Sequence, residues 1–218
     1  MIELVFILDE SGSMRGLEKD TIGGFNSTIE KQKKEDGECL VSTVCFSNGQ
    51  RVIHDRVNLR DVKELTDKDY RPCGSTALID TVASSIKHIK MVHKYIRKED
   101  RPDKTMFIIT TDGMENASHK YSLSETKRMI EECKEKGWEF IFLAANIDAY
   151  ETARDYGFDE ESTVNYVNDE EGTDIKFCCV GKAISSIRSS GVLDREWNYE
   201  AKADYKKRGL SKNLSVKT

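Results

Sequence analysis

The longest apolar runs, residues 4–8 and 106–109, are strand-sized and fall far short of the roughly 20 residues that a bilayer-spanning helix needs. No transmembrane helix is expected. A secretory signal is not expected either, because a strand pattern starts at residue 2 with Glu3 inside it and no small-residue cleavage site follows an apolar core. The cytoplasm is the expected compartment. The chain has no C-x-x-C pair and no Cys/His grouping of zinc spacing, so its 6 cysteines (Cys39, Cys45, Cys73, Cys133, Cys178, Cys179) read as reduced, mostly buried thiols. The vicinal pair Cys178–Cys179 reads as helix packing. A phosphate-binding G-x-x-x-x-G-K-[ST] loop, a D-x-D pair on the first strand and a G-x-S-x-G elbow are all missing. There is no internal repeat and no low-complexity segment.

What remains is ordinary globular composition: 38% hydrophobic, 33% charged and only 2 Pro in 218 residues, enough for one well-buried core. A net charge of -5 argues against nucleic-acid binding over the whole surface. The end of the chain differs in sign, since Lys202, Lys206, Lys207, Arg208, Lys212 and Lys217 face only Asp204. Residues 192–218 lack a clear core face and are expected to be a partly ordered basic extension after a domain at 1–191.

Periodicity alternates between strand and helix, the signature of a sheet covered on its faces by helices. Strands are expected at 2–8, 38–46, 50–57, 105–111, 138–145 and 162–166, and helices at 17–34, 77–97, 123–136, 148–156 and 173–190. Asn48-Gly49 marks a hairpin, which makes the pair it joins antiparallel and places it at a sheet edge. Gly23-Gly24 within a helix should cost roughly 1 kcal/mol each relative to Ala, unless the backbone packs closely there. Ser122 with Glu125 has capping-box spacing, and Gly137 and Gly191 are expected stops.

Parallel crossovers are right-handed, so strand carboxyl ends gather along one edge where ligands bind. Three loops are expected there. Asp9-Glu10-Ser11-Gly12-Ser13 follows the first strand, Gly74-Ser75-Thr76 precedes the long helix, and Asp112-Gly113 follows the strand at 105–111. Carboxylates and hydroxyls with no His or Cys are hard oxygen donors suited to Mg²⁺ or Mn²⁺ rather than Zn²⁺. Singly, each loop also reads as caps or turns: Thr76 as a helix N-cap, Asp112-Gly113 as a turn pair.

Taken in order, D-x-S-x-S, Gly-Ser-Thr and Thr-Asp-Gly closely resemble the metal-ion-dependent adhesion site of von Willebrand factor type A domains, over about residues 1–190. The resemblance implies an α/β fold with a doubly wound, mostly parallel sheet, one antiparallel edge strand and helices on both faces. It implies Mg²⁺ or Mn²⁺ at the carboxyl edge, with Ser11 and Ser13 as direct ligands, Thr76 and Asp112 direct or through water, and Asp9 holding waters and orienting the serines. It looks like a small free-standing bacterial-type member, without the disulfides and flanking repeats of secreted ones.

The expected function is recognition of an Asp or Glu side chain of a partner protein through the bound ion, and not catalysis. Two other readings stay open. One is a metal-assisted hydrolase or phosphoryl-transfer enzyme in which Asp9 and Glu10 supply base and ligand. The other is RNA or ribonucleoprotein association through the basic tail, helped by Tyr199 and Tyr205. Glu115, Asn116, Asn146 and Asp148 are candidate rim residues of the same edge. His54, His88, His93 and His119 lack ligand spacing and read as structural or surface residues. By resemblance, the helix at 173–190 is the element that would move.

Overall fold

The structure is a computed structural model and describes residues 1–145 and 149–209. Its strands are β1 (Ile2–Asp9), β2 (Cys39–Phe46), β3 (Gln50–Asn58), β4 (Lys104–Thr111), β5 (Glu139–Ala144) and β6 (Thr163–Asn165). Its helices are α1 (Glu18–Gln32), α2 (Leu78–Tyr95), α3 (Leu123–Lys134), α4 (Ala149–Tyr156), α5 (Glu170–Ser190) and the short α6 (Tyr199–Asp204), which runs into a π-turn at Tyr205–Gly209. One sheet of order β3-β2-β1-β4-β5-β6 is parallel throughout except for the antiparallel edge pair β2–β3. The expected sheet is therefore the observed one. Among the described residues no helix is long and apolar enough to cross a membrane.

Strands of a parallel sheet covered on both faces must be apolar on both, and β1, β4 and β5 are near-continuous apolar runs for that reason. Alternation divides them between two cores. Leu4, Phe6, Leu8, Met106, Ile108, Ile141 and Leu143 pack with α1 and α5, whereas Val5, Ile7, Phe107, Ile109, Phe140 and Phe142 pack with α2, α3 and α4.

Local signals end the helices where the sequence placed them, within one to three residues. Ser122 and Glu125 form the complete capping box, and Gly137 and Gly191 take left-handed φ of 81° and 73°. The last packed helix starts three residues before the expected Thr173, because Asp169 caps it by accepting from the Gly172 N–H at 2.9 Å. Asp148, the expected start of α4, lies outside the described residues.

Two expectations need correction. The chain after residue 191 does have a core face: Trp197 and Ala201 are both 1% exposed and join the α1/α5 core. The Trp197 indole donates to the Glu161 carbonyl at 3.2 Å, and Arg208 pairs with Asp204, Asp169 and Glu171. A lone tryptophan in polar sequence carries no periodicity, so its burial was not legible. Lys212 and Lys217 lie outside the described residues. Within the vicinal pair only Cys179 is buried; Cys178 is exposed, its thiol 3.5 Å from Glu200.

At the amino end of β1, Glu3 is fully buried and satisfied by Arg56 at 2.5 Å and His93 at 2.7 Å. Arg56 reaches it because the β2–β3 register shifts near Thr43 and Arg56 turns to φ 51°, its N–H bonding Ser42 Oγ. Burial pushes the Glu3 carboxyl up, but its bonds to His93 and Arg56 outweigh it and leave the pKa lowered.

The Gly23-Gly24 pair separates into two cases. A Cβ on Gly24 would lie 2.2 Å from the Phe177 ring of α5, whereas a Cβ on Gly23 would meet nothing within 4 Å. In chemical denaturation Gly24→Ala is expected to lower stability by about 1–3 kcal/mol through overpacking. Gly23→Ala should raise it by about 0.5–1 kcal/mol through helix propensity. Equal effects would mean that α1 and α5 do not need this close approach.

Candidate metal centre

Sheet order decides what meets Asp9. It is the last residue of β1, and β1 runs in register with β4 so that Leu8 lies opposite Thr110. Thr111 and Asp112 therefore emerge beside it. The chain connects β1 to β2 on one side while β4 lies on the other, which makes this the switch point where a doubly wound sheet opens a crevice.

Asp9 is 1% exposed, and both carboxylate oxygens are committed. One accepts the Ser11 N–H at 2.7 Å and the other the Thr111 hydroxyl at 2.6 Å. The Tyr70 hydroxyl donates to the Asp9 carbonyl at 2.5 Å. Burial pushes the Asp9 pKa up; its bonds to Thr111 and Ser11 pull against that, and the Asp112 charge adds to the rise.

From Asp9 a line of oxygens runs outward. Ser11 Oγ is 2.9 Å from Ser13 Oγ, Ser13 Oγ donates to Asp112 at 2.5 Å, and the other Asp112 oxygen accepts the Asn168 amide at 2.9 Å. Gly113 shows where Thr76 belongs in this group. A Cβ there would lie 3.4 Å from Thr76 Oγ1 and 3.5 Å from Ser13 Oγ, so both hydroxyls border one spot. Asp9, Ser11, Ser13, Thr76 and Asp112 are thus brought together from three loops. The cluster reaches solvent at Ser13, and Ser75 before Thr76 and Met114 after Gly113 are also exposed.

The Thr76 loop is braced from two sides. Asn116 Oδ1 accepts the Thr76 N–H at 2.9 Å, while the Asn116 N–H donates to the Thr76 carbonyl at 3.0 Å. Gly74, at φ 76°, leaves room for the Asn48 side chain of the β2–β3 turn, which accepts the Ser75 N–H at 2.6 Å. Thr76 is not a helix cap: the N-cap position of α2 is Ala77.

Glu115 is a brace and not a rim residue. Its carboxylate accepts the N–H groups of Ile79, Ala117 and Ser118, closing the start of α2 against the loop after β4. Glu10 is equally occupied: 5% exposed, it pairs with Arg51 at 2.8 Å and accepts the Arg71 N–H. That removes it from the base-and-ligand role considered beside Asp9. Asn146 and Asp148 lie outside the described residues. Sequence reasoning missed Tyr70, Thr111, Asn168 and the buried Lys176. Of these only Thr111 had a signal, a hydroxyl placed directly before the candidate Asp112.

The donor set suits a hard divalent ion. Oxygens at about 2.0–2.1 Å around an octahedral ion sit roughly 3 Å from their neighbours, close to the 2.9 Å between the two serine hydroxyls. Among the described residues no group of three or more His, Cys, Asp and Glu is placed to hold a metal ion; this candidate is two carboxylates with three hydroxyls. Burial pushes the Asp112 pKa up, against the bonds from Ser13 and Asn168 and the charge of Lys176.

No protein-family model and no curated protein matches the chain. Solved structures do. The von Willebrand factor domain of the type V pili tip protein Mfa5 from Porphyromonas gingivalis is 10% identical, with TM-score 0.60 over 88% of this chain and 98% of that one. The SpRpn10 VWA domain is 11% identical, with TM-score 0.57 over 80% and 92%. Proximal thread matrix protein 1 from the mussel byssus, solved with a zinc-occupied MIDAS motif, is 12% identical, with TM-score 0.54 over 78% of this chain and 42% of that one. The chain thus spans less than half of the mussel protein. At these identities the likeness shows a von Willebrand factor type A fold.

Thr111→Val removes the donor to Asp9 with almost no change of shape and leaves a buried carboxylate oxygen unpaired. Urea unfolding is expected to show a loss of about 1–3 kcal/mol; an unchanged midpoint would mean that Asp9 does not depend on this bond.

Proposed function

We propose that the protein is an interaction module that holds Mg²⁺ or Mn²⁺ at Asp9, Ser11, Ser13, Thr76 and Asp112 and binds an Asp or Glu side chain of a partner protein through that ion. The observation that carries this reading is the commitment of Asp9. With both its oxygens taken by Ser11 and Thr111, its part is to orient the serine loop and to hold waters. Asp112 is then the carboxylate placed to touch the ion directly, since one of its oxygens meets the hydroxyl of Ser13, itself a proposed ligand, and the other the Asn168 amide. A dication touched by one carboxylate and neutral hydroxyls keeps coordination places that an external carboxylate can fill.

The all-oxygen donor set favours Mg²⁺ or Mn²⁺, and the zinc-occupied MIDAS motif of the mussel byssus protein, similar in fold, supports a divalent ion here. Binding is favoured over catalysis because Glu10, the second acidic group of the loop, is turned into a pair with Arg51.

Calorimetric titration with MnCl2 tests the ion, and affinity capture tests the partner. The wild-type chain should bind Mn²⁺ and retain partner proteins in Mg²⁺ but not in EDTA. Asp112→Ala should lose at least tenfold in Mn²⁺ affinity, and Asp9→Ala should retain no partner. Capture of the same proteins under every condition would end this reading.

A further inference from the structure

Lys176, in the second turn of α5, is fully buried, and among the described residues its ammonium has no hydrogen-bond partner. Helical periodicity assigns this position to the apolar face that continues through Phe177, Val180, Ala183 and Ile184. A buried charge is costly there unless something compensates it. Two aromatic rings give part of the compensation: Lys176 Nζ lies 4.5 Å from the centre of the Tyr166 ring and 4.9 Å from that of Phe177. Tyr166 leads back to the metal loops, since its hydroxyl donates to the Thr111 carbonyl at 3.3 Å, one residue before Asp112.

The remaining compensation is charge. Burial pushes the Lys176 amine down to about 8, and the carboxylates that act against the fall are Asp112, Asp9 and the half-buried Asp20 of α1. Those carboxylates favour the ammonium form. Asp9 and Asp112 are both 1% exposed, and the fully buried Lys176 lies over the Tyr166 ring whose hydroxyl reaches the Thr111 carbonyl beside them.

We propose that Lys176 is a positioning residue that makes the metal and the acidic ligand bind cooperatively. This rests on the reading of the site given above. Two carboxylates and one ammonium carry one net negative charge, so a dication leaves one net positive charge, and an arriving carboxylate cancels it. Without Lys176 the dication alone would neutralise the site, and little would draw a further anion. Lys176 therefore weakens the site for metal alone and strengthens metal plus carboxylate. By linkage the two ligands raise each other's affinity to the same degree.

Mn²⁺ affinity measured by calorimetry for wild type, Lys176→Met and Lys176→Gln, each without and with sodium acetate as the carboxylate probe, tests this. Both neutral variants should bind Mn²⁺ alone more tightly, on the order of tenfold, and acetate should raise the wild-type affinity more than theirs. The direction discriminates, because a variant that merely loosened the core would bind metal more weakly. Wild type that binds Mn²⁺, with a cooperatively melting neutral variant that binds it equally or more weakly, overturns the role of Lys176 and leaves the metal site standing. Absence of Mn²⁺ binding in wild type and in both variants overturns the metal reading and this inference with it.

Discussion

The structure turns on a carboxylate taken out of water at the end of its central strand. Asp9 is held by a backbone N–H from its own loop and by a hydroxyl from the neighbouring strand, and a buried carboxylate survives only with such partners. The bond to Thr111 requires that β1 and β4 lie side by side in parallel register. That pairing in turn forces β2 to the other side of β1 and opens the crevice between the loops. The Ser11 bond sets the turn that brings the two serine hydroxyls to the same side as Asp112.

A second buried carboxylate occupies the opposite end of the same strand. Glu3 is satisfied by strong, charge-assisted bonds from Arg56 and His93. Asp9 has neutral donors and lies near Asp112. Environment therefore separates them: the pKa of Glu3 is lowered and that of Asp9 raised. One end of β1 is closed electrostatically, while the other keeps unspent negative charge, the condition for receiving a cation.

Helix α5 connects the site to the rest of the molecule. The close approach at Gly24 seats Phe177 against α1, and the same turn carries Lys176 inward. Just before the helix, Asn168 holds Asp112 and Asp169 caps the first turn, where Arg208 of the closing segment also pairs. Core packing, the candidate metal ligands and the segment that carries Arg208 thus meet within a few residues.

The sequence by itself determined the order of elements and the antiparallel edge, because these rest on local signals, while the five residues of the candidate site were named by the resemblance that three such loops carry in order. Apolar runs of strand length, the Asn-Gly turn, the Ser122–Glu125 box and short polar loops after strands are all written in neighbouring residues. Tertiary structure alone decided what those residues face. Glu10 and Glu115 look in sequence like Asp9 and Asp112, and only the positions of Arg51 and of the start of α2 turn them into braces. Gly23 and Gly24 are equivalent in sequence, and only Phe177 distinguishes them. Trp197 and Lys176 were illegible for the same reason: each is an isolated residue whose burial depends on partners far along the chain, and local pattern carries no information about partners brought near by folding.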